Sequence, residues 1–278
     1  MRQPPRRHSR LRLGAARLAE LVTSTLGGRA FYRATYLSPP RLREETARVR
    51  DLAPELEGFS VVQLTDFHAG SFLGPGDLAQ VVELSNALEP DVVALTGDFV
   101  THGAHEIARI AADLGRLRAR EGVFAVFGNH DYRGRQEARI EAALPAVRFL
   151  RNAGVRLARG SAVVALTGLE DLEEGRVVDL DAARGALEPG DVEIVLCHNP
   201  LGARAIARPG CAAVLAGHTH GGQVDLPLLR RLGPKHPGAR VVLGSTLLVV
   251  AGGLGAIGLP LRVGAPAEIV RLRLARQA

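Results

Sequence analysis

The sequence predicts an α/β protein, and three observations carry that expectation. Short β-branched or apolar runs alternate with helix-like segments, and the first three runs are spaced like strand–helix–strand units. Five of the runs close on acidic, amide or imidazole side chains. The 278 residues are 46% hydrophobic and 23% charged, the composition of a folded globular chain rather than a disordered one. Aromatic residues make up 4% and tryptophan is absent, so the core has to be built from Val, Leu, Ile and Ala.

Residues 1–58 read as a basic extension ahead of one domain at 59–278. Leu11, Ala15, Leu18, Val22 and Leu26 recur at helical spacing. Arg12, Arg17 and Glu20 interrupt this segment, which falls short of the roughly 18 apolar residues a spanning helix needs. It also lacks an apolar core followed by a small-residue cleavage site. Two readings stay open: a helix docked on its own domain, or an interfacial helix with its basic side toward anionic lipid. A connector through Pro39, Pro40 and Pro54 leads into the domain.

From Phe59 the pattern is regular. FSVVQLTD, DVVALTGD and GVFAVFGNHD predict strands, with helices over DLAQVVELSNAL and AHEIARIAADLGRLRAR between them. Asp66, Asp98 and Asn129 thereby fall one βαβ repeat apart, roughly 30 residues. Beyond Asn129 the spacing widens across VRFLRNAGVRLA and SAVVALTGLED to VEIVLCH, and a short helix over LGARAIARPG leads to CAAVLAGHTH. VVLGSTLLVV and EIVRLRLA supply the last strands. Residues 241–261 carry no charge but contain Gly244, Gly252, Gly253, Gly255, Gly258 and Pro260, so they predict a buried strand and a glycine-rich loop, not a membrane span.

The formal net charge of +6 and pI near 10.2 suit a phosphorylated substrate or an anionic membrane surface. Without an aromatic-interleaved basic patch or a nucleic-acid module, specific nucleic-acid binding is not expected. Cys197 and Cys211 lie in apolar strand contexts and form no CxxC pair, which reads as two buried thiols. With no export signal or span, a cytoplasmic location, or a peripheral one on the cytoplasmic face of the membrane, is expected.

The strand ends carry the chemistry. In open α/β layouts functional groups collect beyond the C-terminal ends of strands. Here Asp66, His68, Asp98, Asn129, His198, His218 and His220 stand at such ends, with His130 beside Asn129. Burying so many ionisable groups together is costly unless cations compensate them. Carboxylate, amide and imidazole donors without thiolate suit Mn, Fe or Zn and not a structural cysteine site. These candidates are too many for one ion and suit two that share a carboxylate. Two ions about 3.5–4 Å apart are the usual clamp for displacement at phosphorus.

The motifs DFH (66–68), GD (97–98), GNHD (128–131), His198 and GHTH (217–220), in that order, resemble the calcineurin-like metallophosphoesterase superfamily. TGDFV, GNHDY and AGHTHGGQ are similar to its bacterial branch of small, often membrane-associated phosphoesterases. The likeness spans roughly residues 59–273. It implies a four-layer α/β/β/α sandwich of two mixed β-sheets, with Asp66, His68 and His220 on one metal, Asn129, His198 and His218 on the other, and Asp98 bridging. It further implies a metal-activated water as nucleophile and His130 as general acid, oriented by Asp131.

Around this centre the expectations are looser. Tyr132 and Arg133 are candidates for the substrate entrance and Arg262 for a phosphate contact. His102 and His105 read as surface or capping residues, and Pro200 after His198–Asn199 as a strand terminator. Gly97, Gly128, Gly217, Gly221 and Gly222 are expected to permit tight turns beside the ions. Similar proteins often carry Asp where this chain has Thr101, and Ser-Arg before GLG where it has AGGLG, which weakens any transfer of substrate. The expected function is hydrolysis of a phosphodiester or pyrophosphate, with a lipid-linked ester such as a UDP-diacylglucosamine among the substrates. The alternatives are a soluble nucleotide or general phosphodiesterase or phosphatase, and a non-enzymatic metal-binding scaffold.

Overall fold

In the computed structural model, residues 18, 20–37, 39–223 and 239–277 are described. The strands are β1 (Arg41–Val49), β2 (Ser60–Leu64), β3 (Val92–Leu95), β4 (Val123–Ala125), β5 (Val147–Phe149), β6 (Ala153–Arg159), β7 (Ala162–Gly168), β8 (Val192–Leu196), β9 (Cys211–Ala216), β10 (Arg240–Leu243), β11 (Thr246–Val250) and β12 (Glu268–Arg276). One six-stranded sheet has the order β1-β12-β2-β3-β4-β5 and the other β10-β11-β9-β8-β7-β6. In the first, β2 to β5 are parallel neighbours, while β12 runs antiparallel to β2 and parallel to β1. In the second, β11, β9, β8 and β7 are parallel and β10 and β6 close the edges antiparallel. Both sheets are mixed, as expected.

The layers follow from the two-residue period of a strand. On β2, Val62 and Leu64 face outward into a cluster with Val81 and Val82 of the helix Ala79–Ala87 and Ile140 of Glu137–Ala143. Val61, on the opposite face of the strand, packs in a central cluster with Leu166, Ile194, Leu215 and Val249 of the second sheet. On the far side, Val195, Val214 and Leu248 pack against Ala183 of the helix Leu180–Arg184 and Ile206 of Ala203–Ile206. Each fully buried Val, Leu or Ile stabilises by about 1.5–3 kcal/mol. This is the α/β/β/α arrangement, and it leaves the C-terminal ends of the parallel strands β2, β3, β4, β8 and β9 free to carry loops.

Three elements differ from expectation. The connector contains β1, whose nine residues pair in register with β12 from Arg41↔Glu268 to Val49↔Arg276, so sheet structure begins before Phe59. The helix expected over 104–120 is two short pieces, Ala104–Arg109 and Ala111–Leu114. Its acidic residues turn inward: Glu106 accepts from the Thr101, His102 and Gly103 N–H groups, and Asp113 from those of Gly76 and Leu78. The N-terminal segment runs through helical pieces at Ser24–Gly28, Arg29–Tyr32 and Arg33–Leu37, with a kink at Leu26 and Gly27, whose backbone is not helical. It docks by Tyr32 and Leu37, which are buried, and not by the apolar stripe, since Leu18, Val22 and Leu26 are exposed. Leu11 and Ala15 lie outside the described residues. Among the described residues no helix is long and apolar enough to cross a membrane.

Candidate metal centre

The loops after β2, β3, β4, β8 and β9 deliver Asp66 and His68, Asp98, Asn129 and His130, His198, and His218 and His220 to one place. Backbone bonds lace these loops together: Asp66 N–H donates to Gly97 O, His68 N–H to Asp98 O, and Gly217 N–H to His198 O. Asp66, His68, Asp98, His218 and His220 all have left-handed backbone, with φ of 50°, 45°, 54°, 70° and 52°. Such conformations cost about 1–3 kcal/mol each for non-glycine residues and persist where surrounding structure over-determines them. Two neighbouring glycines are required by space. A Cβ on Gly128 would collide with Asp98 Oδ1, and one on Gly217 with Thr65 Oγ1 and Asp66 Oδ2.

Three triads, Asp66–His68–His220, His68–Asp98–His130 and Asp98–His198–His218, each bring their ligand atoms within 4.8 Å of one another. His220 Nε2 lies 3.4 Å from Asp66 Oδ1, and the Nε2 atoms of His68 and His198 lie 3.4 and 3.3 Å from Asp98 Oδ2. His68 Nε2 and His220 Nε2 are 3.0 Å apart, and Asn129 Oδ1 is 3.0 Å from His218 Nδ1. His198 donates from Nδ1 to Thr96 O at 2.6 Å, while its Nε2 is buried with no hydrogen-bond partner among the described residues. Fixing one ring nitrogen on a carbonyl while the other faces the shared carboxylate is how proteins orient a metal-binding histidine. The donor set fits a binuclear divalent centre, two clusters joined through Asp98, with Mn, Fe or Zn as suitable ions.

Electrostatics without cations show what the centre has to offset. Burial pushes Asp66 up, and the Asp98 carboxylate adds to it against the pull of His198. Asp98 is also buried, but His198 and His130 hold it well below the ordinary carboxylate range. Burial works against charge on His198, yet the Asp98, Asp66 and Asp171 carboxylates hold it well above its usual value. Burial, His68 and Arg262 push His220 well down. Divalent ions reverse this logic by stabilising carboxylates and neutral imidazoles.

His130 sits at the rim, half-buried, with its ring 4.8 Å edge-on from that of His68. Burial, with the charges of His68 and Arg133, lowers it to about 3. Its Nδ1–H donates to Thr101 O at 2.8 Å, and Arg133 Nη1 lies 3.0 Å from both ring nitrogens. Asp131 does not orient it. Asp131 Oδ2 accepts from the N–H groups of Asp98 and Gly128, both at 2.9 Å, and Oδ1 from those of Phe99 at 2.8 Å and Val100 at 3.3 Å. The carboxylate is spent holding the left-handed Asp98 turn. Burial and Asp98 push it up to about 8 against those donors.

Of the residues expected at a substrate, Arg133 stands beside His130. Tyr132 instead donates its hydroxyl to Glu170. Arg262 is 3% exposed. Its guanidinium donates to the carbonyls of Gly252, Gly255 and Ala265 and to Tyr32 Oη, and Nη2 lies 3.4 Å from His220 Nδ1. It braces His220 from behind, where the carbonyls of a glycine-rich loop need a donor. His102 pairs through Nε2 with Glu20 at 2.8 Å, and His105 is exposed. Cys197 and Cys211 are free and buried.

Sequence reasoning passed over Asp171 and Glu173. Asp171 is buried with one carboxylate oxygen lacking a partner among the described residues, and Glu173 Oε1 lies 3.5 Å from His218 Nε2. Their signal was present, since SAVVALTGLED is another strand that closes on acids.

Two mixed sheets with candidate metal-ligand clusters at their strand ends match the fold of metal-dependent phosphoesterases. The profile of the calcineurin-like phosphoesterase family matches residues 59–222, and the chain belongs to that family. It is 33% identical over 92% of its length to a Bos taurus protein described as a transmembrane protein with metallophosphoesterase domain, covering 62% of that protein. The like-described Danio rerio protein is 30% identical, again with 62% of it covered. The chain thus spans less than two thirds of these vertebrate relatives. An uncharacterised metallophosphoesterase of Bacillus subtilis, YkuE, is 31% identical, with 88% of this chain and 89% of that protein aligned.

Proposed function

We propose that this protein is a divalent-metal-dependent phosphoesterase that hydrolyses a phosphodiester or pyrophosphate bond. The observation that carries the reading is the convergence of candidate ligands from separate strand ends, five of them held in left-handed backbone. Asp66, His68 and His220 would hold one ion, Asn129, His198 and His218 the other, and Asp98 both. When bound, such ions activate a water and neutralise charge at the phosphoryl group. The chain's own groups orient and carry the proton. Thr96 O fixes the His198 ring, and Arg262 backs that of His220. His130 is neutral in this environment, but the negative charge of a bound phosphoryl group raises its pKa. It takes up a proton with the substrate and gives it from Nε2 to the leaving oxygen.

A lipid-linked phosphate, such as a UDP-diacylglucosamine, is the substrate class we favour. Leu18, Leu21, Val22, Leu26 and Phe31 of the kinked N-terminal segment are exposed, as are Leu259 and Leu261 of the loop beside it. Glu20 ties the two together by accepting from Gly258 N–H at 2.7 Å. That apolar face suits peripheral contact with an anionic membrane.

The test is hydrolysis of a simple phosphodiester, a phosphomonoester and a nucleotide-linked lipid pyrophosphate with Mn, Fe or Zn. Asn129→Ala should abolish metal-dependent turnover, and His130→Ala should lower it by about 10²–10⁴, the usual worth of a general acid. Unchanged turnover in both variants sinks the assignment, and no turnover by wild type on any substrate supports a metal-binding scaffold. Preference for the soluble esters would refute the lipid reading alone.

A further inference from the structure

We propose that the cavity between the N-terminal helix and the loops that follow β2 and β3 is an oxyanion site for a phosphate-type group, separate from the metal centre. The cavity has a volume of about 350 Å³ and is walled by Ser24, Arg29, Ser71, His105 and Arg109. The proposal rests on the charge and shape of this cavity and not on hydrolysis at the metals.

Two guanidiniums converge there over Gly74. A Cβ on Gly74 would stand 2.8 Å from Arg29 Cζ and 3.0 Å from Arg109 Nη2. Arg29 is anchored, donating from Nε to Asp77 Oδ2 at 2.7 Å and from Nη2 to Pro75 O at 3.0 Å. Asp77 also faces Arg33 at 3.9 Å, so its single charge is already shared. Arg109 is exposed, and among the described residues it has no hydrogen-bond or ion-pair partner. The carboxylate in the wall is Glu106, whose Oε2 accepts from three backbone N–H groups. Those donors disperse its charge toward the backbone. The lining thus holds two arginines and one carboxylate already engaged by the backbone, and the Arg109 fork is unpaired among the described residues.

Guanidinium forks match the oxygens of a phosphate in bidentate geometry. A tetrahedral oxyanion presents enough oxygens for both arginines at once. The location gives the site its use: Gly70 and Ser71 closely follow His68, and Ser71 Oγ donates to the same Glu20 Oε2 that meets His102. Exposed Leu21, Val22 and Leu26 belong to the kinked N-terminal segment that contributes Ser24 and Arg29. A phosphate held there is either free in solution or the headgroup of a membrane lipid.

Calorimetric titration of the metal-loaded full chain with inorganic phosphate separates this site from the metal centre. Wild type should show two binding events. Arg109→Gln should weaken one about tenfold or more, the worth of a charge-assisted pair, and leave the other. Asn129→Ala should do the reverse, and His105→Gln, also at an exposed position, is the second variant for the cavity. Sedimentation with phosphatidylglycerol against phosphatidylcholine vesicles then names the source. Arg109-dependent binding to the anionic vesicles that free phosphate displaces identifies a lipid headgroup, and Arg109-dependent phosphate binding without it identifies free phosphate. A single event that Asn129→Ala removes and both cavity variants leave untouched overturns the proposal.

Discussion

Replacing Asp131 by Asn separates two roles for this carboxylate, an orienter of His130 or a peg for the Asp98 turn. Its two oxygens accept four backbone N–H groups, from Asp98, Phe99, Val100 and Gly128. An asparagine of the same shape keeps one acceptor. With its oxygen in the Oδ2 position it serves Asp98 and Gly128, and its NH₂ then points at the N–H groups of Phe99 and Val100. Two buried donors lose their acceptor, at about 1–3 kcal/mol each. Relief of the burial and Asp98 repulsion that push Asp131 up to about 8 gives part of this back, which sets the net loss at about 2 kcal/mol. With an m-value of about 3 kcal/mol/M, the urea midpoint drops by roughly 0.7 M. Mn affinity should fall with it, because the strained turn presents Asp98 to both clusters. Unfolding followed by circular dichroism and metal titration make the comparison with wild type. A midpoint within about 0.2 M of wild type, with unchanged Mn affinity and only a displaced pH–rate profile, would restore Asp131 as the partner of His130.

Two further outcomes follow from the buried groups. Burial, with Asp171 beside one and Glu193 beside the other, pushes the Cys197 and Cys211 thiols up to about 12. Iodoacetamide near neutral pH should therefore label neither thiol in the native chain and both in denaturant, and rapid native labelling would contradict the burial. Burial opposes charge on Glu20, but His102 and the Gly258 N–H together hold it below its ordinary 4.5. A depressed acid stabilises the fold above its unfolded value and loses that contribution as pH falls through the folded one. Glu20→Gln should accordingly be less stable than wild type at neutral pH, with a gap that closes in acid below 4.5. A gap independent of pH would mean that Glu20 acts by packing and not by charge.

What the sequence made legible, and what it hid, divides along one physical line. Strand ends were legible because parallel strands are buried on both faces and read as apolar runs, so a polar cluster closing each run stands out. Asp66, Asp98, Asn129, His198 and His220 were found in this way, and the two mixed sheets followed from the likeness those residues carry. β1 escaped because, among the described residues, it is an edge strand, RLREETARV, paired with β12 alone and largely exposed. Charged edges are how natural sheets avoid pairing with other chains, and they erase the apolar signal. Asp131 and Arg262 were recognised as important and given the wrong partners, because the partners are backbone groups. A carboxylate surrounded by N–H groups, or a guanidinium surrounded by carbonyls, depends on the path of a loop that residue types alone do not specify. The left-handed turns at Asp66, His68, Asp98, His218 and His220 make the point sharpest. After glycine, asparagine, aspartate and histidine are the residues that enter this region most readily, so these positions accept a ligating side chain and a sharp turn at once. Residue type alone does not say that the turn is there, because the same side chains sit as easily in extended backbone.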